Sequence, residues 1–176
     1  SRGYCQSLRG AVSKVTGIAP RAVCVAASHT HSGPAPVRLR HCGRISPAYM
    51  RTLRSRMSAA AVQAPRATVP VRIGVARSSA SFAENRRDPA RGAVDRDLIV
   101  VAVDHVETGA AVATLVNYAC HPVVMGSGNL YVSADFPGPL QTRVEEATGA
   151  PCLFLNGACG DLNPKEAHAV DFAEAE

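Results

Sequence analysis

The sequence predicts an α/β fold of layered, mixed β-sheets flanked by helices, with candidate catalytic motifs in loops at strand ends. Segments of helical periodicity alternate along the chain with short β-branched runs, and several of those runs empty into polar, Gly- and Pro-bearing loops. No internal repeat or low-complexity segment interrupts that alternation. In layered α/β proteins sites gather where strands end, so those loops are where chemistry is expected.

Taken in order, Gly3 to Val15 carries Leu8, Val12 and Val15 on one helical face and meets Gly17, a natural C-cap, so it reads as a helix. The small and β-branched run Ala22 to Ala27 is expected to be a buried strand that empties into the turn-rich stretch Ser28 to Pro36. Ser46-Pro47 has the pattern of an N-cap followed by Pro in the first turn. Behind it, Tyr49 to Val62 places Met50, Leu53, Met57, Ala60 and Ala61 as an amphipathic helix. Three strands follow: Val69 to Ala76, Leu98 to Asp104 and Ala111 to Ala119, the last two forming a hairpin about Glu107-Thr108-Gly109. The polar, Arg-rich stretch Ser78 to Asp95 is expected to be a surface or active-site loop. Phe136 to Thr148, closed by Gly149, reads as a helix, and Cys152 to Leu155 as a further buried strand running into Asn156 to Asp161.

The bulk composition narrows the classes. A chain of 176 residues that is 47% hydrophobic can bury a real core. No apolar stretch approaches the roughly 18 residues of a membrane-spanning helix. The net charge of +5 comes from scattered Arg, with Lys14 and Lys165 the only lysines, and reads as a compositional habit rather than a binding patch. With 5% aromatics and no Trp, the stacking platform of a single-strand nucleic-acid binder is missing, so no nucleic-acid partner is expected. The 6 cysteines (Cys5, Cys24, Cys42, Cys120, Cys152, Cys159) form no C-x-x-C pair, and are expected to be mostly buried free thiols.

Two histidine motifs carry the chemistry. In Ser28-His29-Thr30-His31-Ser32-Gly33-Pro34, two histidines two apart on an extended segment point to the same side, and neutral imidazole is the commonest zinc ligand. Gly33 and Pro34 stand where a binuclear H-x-H-x-D-H site would need Asp and His, which disfavours the metallo-β-lactamase-like pattern. In Asn117-Tyr118-Ala119-Cys120-His121-Pro122, the proline fixes the backbone beside an imidazole at a strand end; as a lone residue His121 reads equally as a structural histidine. Asn156 to Pro164, with Gly157, Gly160 and Asn163-Pro164, reads by itself as a tight strand-to-loop turn.

Together with Asn85-Arg86-Arg87, Val94-Asp95, Ser133-Ala134-Asp135-Phe136-Pro137-Gly138 and Gly160-Asp161-Leu162-Asn163-Pro164, these segments occur in the order found in the neutral, non-lysosomal ceramidases, and the chain resembles the N-terminal catalytic domain of that family from Val23 to Pro164. The resemblance implies a zinc-dependent hydrolase of an amide bond, with an N-acyl lipid such as ceramide as substrate. By resemblance His29 and His121 are zinc ligands, while His31 and Arg86 lie in the substrate site and act in catalysis; the family's further ligands, a Glu and a Tyr, come later than residue 176. Asp135 and Asp161 are candidates to orient a ligand imidazole, or else a helix-start and a turn carboxylate. On this reading residues 1–176 are an internal fragment of a single catalytic domain, cut at both ends: Ser1-Arg2-Gly3-Tyr4 has no initiator Met, and Ala173 to Glu176 stops without a closing element. The fragment alone is then expected to bind metal weakly and to be inactive. Peripheral contact with a membrane surface and a secreted or periplasmic location are further implications of the resemblance.

One departure stands out. Where the family has Ser in a Ser-Asn-x-Gly-Asp stretch, this chain has Gly157-Ala158-Cys159-Gly160-Asp161. That favours metal-activated water over a serine nucleophile. It also keeps open a catalytically silent relative that binds lipid or glycan; a third class is a serine or cysteine hydrolase using Cys120 or Cys159 beside a histidine.

Overall fold

The computed structural model describes residues 2–40 and 43–165; Cys42 and the end of the chain at Ala173 to Glu176 lie outside the described residues. The chain divides into two compact units, Ser1–Val25 with Pro34–Val69, and Ala26–Gly33 with Pro70–Glu176.

The first unit is built on α1 (Arg2–Thr16) and α2 (Pro47–Gln63). Helix α1 buries Leu8 and Val12 and ends at Gly17, whose φ of 75° is the left-handed conformation a C-terminal glycine supplies without steric cost. Helix α2 starts as its sequence predicts: the Ser46 hydroxyl accepts from the Tyr49 N–H at 3.2 Å, with Pro47 behind it. Its apolar side is only half-buried, at Tyr49, Met50, Leu53 and Met57. The Tyr4 hydroxyl donates to Met57 Sδ at 3.5 Å, tying the two helices together.

The strand expected over Ala22 to Ala27 does not form. A short 3-10 turn occupies Pro20–Ala22, and the following residues run extended without a ladder partner. The run carries the chain from one unit to the other, between Val25 and Ala26, and among the described residues it joins no sheet.

The second unit confirms the α/β expectation. A four-stranded mixed sheet has the order β1 (Val71–Ser79), β3 (Asp97–His105), β4 (Ala111–Tyr118), β5 (Cys152–Asn156). The predicted hairpin is β3–β4, antiparallel, with Gly109 at φ 68° in its turn. Strand β5 lies parallel to β4, which requires a crossover, and α3 (Pro137–Thr148), capped by Gly149 at φ 69°, provides it. A second sheet pairs β2 (Ala83–Asn85) with β6 (Leu162–Pro164). Three-residue strands show no periodicity, so β2 reads in the sequence as part of the polar loop.

Register decides which face of the large sheet is covered. Val116, Tyr118, Cys152 and Phe154 are buried, against Leu140 and Val144 of α3 and an aromatic chain in which the Phe136 ring meets Phe154 at 5.5 Å and Phe82 at 5.1 Å. On the opposite face Val75, Val101, Leu115 and Leu153 lie side by side across the strands, and Val75 and Leu153 stay 71% and 52% exposed. Around β4 and β5 the sheet is therefore covered on one side, while β1 is exposed throughout, and the β4 and β5 ends, with the small sheet, frame the histidine loops. Among the described residues no helix is long and apolar enough to cross a membrane.

Candidate metal centre

The centre lies wholly within the second unit. His121 follows β4 and is the buried member, 7% exposed. Its backbone N–H donates to the Leu162 carbonyl at 2.9 Å, and its ring Nδ1 lies 3.1 Å from the same oxygen. A carbonyl can only accept, so Nδ1 carries the proton and Nε2 keeps its lone pair for an electrophile. Metal-ligating histidines commonly have this kind of outer partner.

His29 and His31 reach the same point by a different route. The sequence suggests an extended segment, but His29 sits at φ 70°, a left-handed conformation uncommon outside glycine and tolerated by His better than by most residues. The turn is stapled on several sides: the Thr30 hydroxyl donates to the Ser133 carbonyl at 2.8 Å, Ser133 N–H to the Ser32 carbonyl at 2.9 Å, and His31 N–H to the Pro122 carbonyl at 3.3 Å. The ring centroids of His29 and His121 are 4.9 Å apart, those of His29 and His31 5.0 Å, and those of His31 and His121 5.5 Å. One nitrogen from each of the three rings lies within 4.8 Å of the others.

Electrostatics favour neutral imidazoles here. His29 has its pKa lowered below the ordinary 6.5, first by partial desolvation and then by the His121 ring. His31 is lowered for the same first reason, then by His29, His121 and the Arg86 guanidinium, with Asp135 opposing. Neutral nitrogens are the form that binds a cation. Arg86 is aimed by the turn before β6: its N–H donates to the Asp161 carbonyl and its guanidinium to the Gly160 carbonyl, both at 2.8 Å. Asn85, buried behind it, donates to the Ala93 carbonyl and Asp161 Oδ2 and accepts from the N–H groups of Arg87 and Asp88. Gly92 is required for this packing, because a Cβ there would sit 2.3 Å from Asn85 Cγ.

The carboxylates play the plainer of their two expected parts. Asp135 accepts from the backbone N–H groups of Val124, Met125 and Phe136, and Asp161 accepts from Asn85. His121 is oriented instead by the Leu162 carbonyl, a backbone group that side-chain motifs do not reveal. Sequence reasoning also passed over Asn156, which accepts from Cys120 N–H at 3.4 Å and donates to the Ser28 carbonyl at 3.1 Å. Its position directly before the glycine turn was the available signal.

The described cysteines Cys5, Cys24, Cys120, Cys152 and Cys159 are free thiols, and the last three are buried. Burial pushes the Cys120 thiol up to about 12, with Cys159 and Asp135 adding to the shift. Cys159 is raised as well, chiefly by burial. Both shifts run away from the thiolate that a cysteine nucleophile uses.

No protein-family model and no curated protein matches the sequence. Two solved structures are similar in fold: a neutral ceramidase from Pseudomonas aeruginosa, with a TM-score of 0.68 and 17% identity, and a ceramidase complexed with C2, with a TM-score of 0.69 and 16% identity. Each match covers 90% of this chain and 29% of the ceramidase chain. The chain thus spans less than a third of those proteins and has the fold of that part of a neutral ceramidase.

Proposed function

We propose that this chain carries the histidine part of the active site of a zinc-dependent amide hydrolase whose substrate is an N-acyl lipid of the ceramide type, cleaved to a fatty acid and an amine. The observation that supports it is the convergence of His29, His31 and His121, with nitrogens within 4.8 Å of one another. Ligands sharing a tetrahedral zinc at about 2.0–2.1 Å lie roughly 3.3 Å apart, against the 4.8 Å within which these nitrogens lie without metal. The donor set fits: His121 presents Nε2 because Nδ1 is engaged, and the surroundings of His29 and His31 keep imidazole neutral.

His29 and His121 would hold the ion. A bound zinc supplies a Lewis acid that brings the pKa of water to about 7. His31, which its lowered pKa leaves neutral at rest, would take the proton that the attacking water gives up and hand it to the departing amine. Arg86, held to Gly160, offers a positive charge to the oxygen on which negative charge develops. Gly157 leaves this turn without a hydroxyl, so the nucleophile on this reading is water. Peripheral contact with a membrane surface follows from a lipid substrate, and the location from the family's secreted or periplasmic habit.

The test uses the longer protein that contains this chain. It should take up about one zinc and release fatty acid from an N-acyl sphingoid substrate, with activity lost to a chelator and restored by zinc. Failure both to bind zinc and to cleave any N-acyl substrate would end the hydrolase reading. The missing hydroxyl at Gly157 favours one second reading, a silent relative that binds lipid or glycan. Acyl-lipid binding without turnover by the fully metallated protein would establish that instead.

A further inference from the structure

The two histidine loops are far apart in sequence, and both Asn156 and the Ser133–Asp135 turn tie them together. Asn156, at the end of β5, spans the gap with one side chain: its Oδ1 accepts from Cys120 N–H, next to His121, and its Nδ2 donates to the Ser28 carbonyl, next to His29. The second bridge is the Ser133–Asp135 turn. On one side Ser133 takes the Thr30 hydroxyl through its carbonyl and gives its N–H to Ser32. On the other, the Ser133 hydroxyl accepts from Asp135 N–H at 2.9 Å, and the 3% exposed Asp135 carboxylate accepts from Val124 and Met125, just past His121, at 3.1 Å each. Asp135 adopts φ 59° to do so, a backbone conformation that short polar side chains tolerate.

We propose that Asn156 and Asp135 are positioning residues that set the distance between the His29–His31 turn and His121. Neither has an imidazole partner among its hydrogen bonds; each acts through backbone groups beside the histidines. Buried and partly buried polar groups of this kind hold one geometry because every alternative leaves donors or acceptors unpaired. The consequence for metal rests on the zinc reading, but the spacing does not.

The test therefore has two arms on the 176-residue chain. In the metal-free protein, NMR should show cross-peaks between the His29 and His121 ring protons. Asn156→Ala should weaken or abolish them while amide exchange in β4 and β5 stays as protected as in the parent. Asp135→Asn, which keeps an acceptor and tolerates the left-handed backbone, should retain them more fully than Asp135→Ala. In the second arm, Zn2+ and Co2+ are titrated in. Asn156→Ala should lower affinity by about 10- to 100-fold, the range for groups that orient ligands, and should alter the visible Co2+ spectrum, which a purely structural role would leave unchanged. If the ring cross-peaks persist in Asn156→Ala and Asp135→Ala, or are missing from the parent, the positioning role is overturned. If the parent shows the cross-peaks but binds neither metal, the variants' cross-peaks alone decide the positioning role, and the zinc reading is decided by the longer protein.

Discussion

Gly157 stands where the resembling family has a serine, and restoring that residue is a sharp test of how this turn is built. A Cβ at position 157 would lie 3.0 Å from Ala119 Cβ, 3.1 Å from Ala119 Cα and 3.2 Å from its backbone nitrogen. Two of those neighbours are backbone atoms at the end of the core strand β4, and the turn cannot swing away cheaply, because Gly157 N–H is bonded to the Tyr118 carbonyl at 2.9 Å. Forcing extra atoms into packed surroundings costs about 1–3 kcal/mol. Gly157→Ser should therefore destabilise the second unit by about that amount, a 5- to 150-fold change in the opening equilibrium. Hydrogen exchange of the Val116 and Phe154 amides, in the regime where exchange reports the opening equilibrium, reads it directly. Ala119→Gly in the same background removes the closest contact and leaves the other two, so it should recover part of the loss. Exchange rates in Gly157→Ser equal to the parent's would show that the turn accommodates a side chain, and the packing argument would be refuted.

The lowered pKa values of His29 and His31 make the metal-free protein sensitive to acid. Both rings hold protons less readily folded than unfolded, so the unfolded state binds more protons as pH falls through 6.5. Their contribution to stability is complete above that pH and is lost as pH drops through the lower folded values; His29→Gln/His31→Gln should flatten the dependence, as followed by urea denaturation between pH 5 and 8. Thiol accessibility should follow burial: at pH 8 a disulfide reagent should modify exposed Cys24 rapidly and Cys120 only at the rate of unfolding, and fast labelling of Cys120 in the folded protein would contradict its raised pKa. Tyr118→Phe should cost about 1–3 kcal/mol, because the buried Tyr118 hydroxyl accepts from Ala83 N–H at 3.0 Å and its loss strands that donor; an unchanged denaturation midpoint would argue that the donor finds another partner.

Much of this was legible in the sequence because it is written in local patterns. The hairpin at Gly109, the caps at Ser46 and Gly149, and the β-branched runs of β1, β3, β4 and β5 each follow from periodicity or turn chemistry within a few residues. The histidine motifs could be singled out by residue type, and Arg86 only through the family resemblance. What could not be read was the partner lying far along the chain. The β2–β6 pairing joins Asn85 to Leu162, and the Leu162 carbonyl that orients His121 has no side-chain signature. The run Ala22 to Ala27 shows the converse error: strand-like composition does not make a strand without a neighbour to bond. Asp135 reads in the sequence as a carboxylate that orients an imidazole or starts a helix, and its hydrogen bonds instead go to backbone N–H groups.

The left-handed backbone at His29 also restricts how this position can change. Residues that accept φ near 70° are few, chiefly Gly, Asn, Asp and His itself, and β-branched or bulky replacements are strained there before any question of ligation arises. The cheapest drift that keeps the turn and a donor is therefore to Asp, which exchanges a nitrogen for an anionic oxygen and moves metal preference toward harder ions. A Zn2+/Mn2+ competition titration of His29→Asp measures that tendency, and preference unchanged from the parent would count against it. On the metal reading, the shape of one turn thus confines both the stability of the loop and the donors this position can offer.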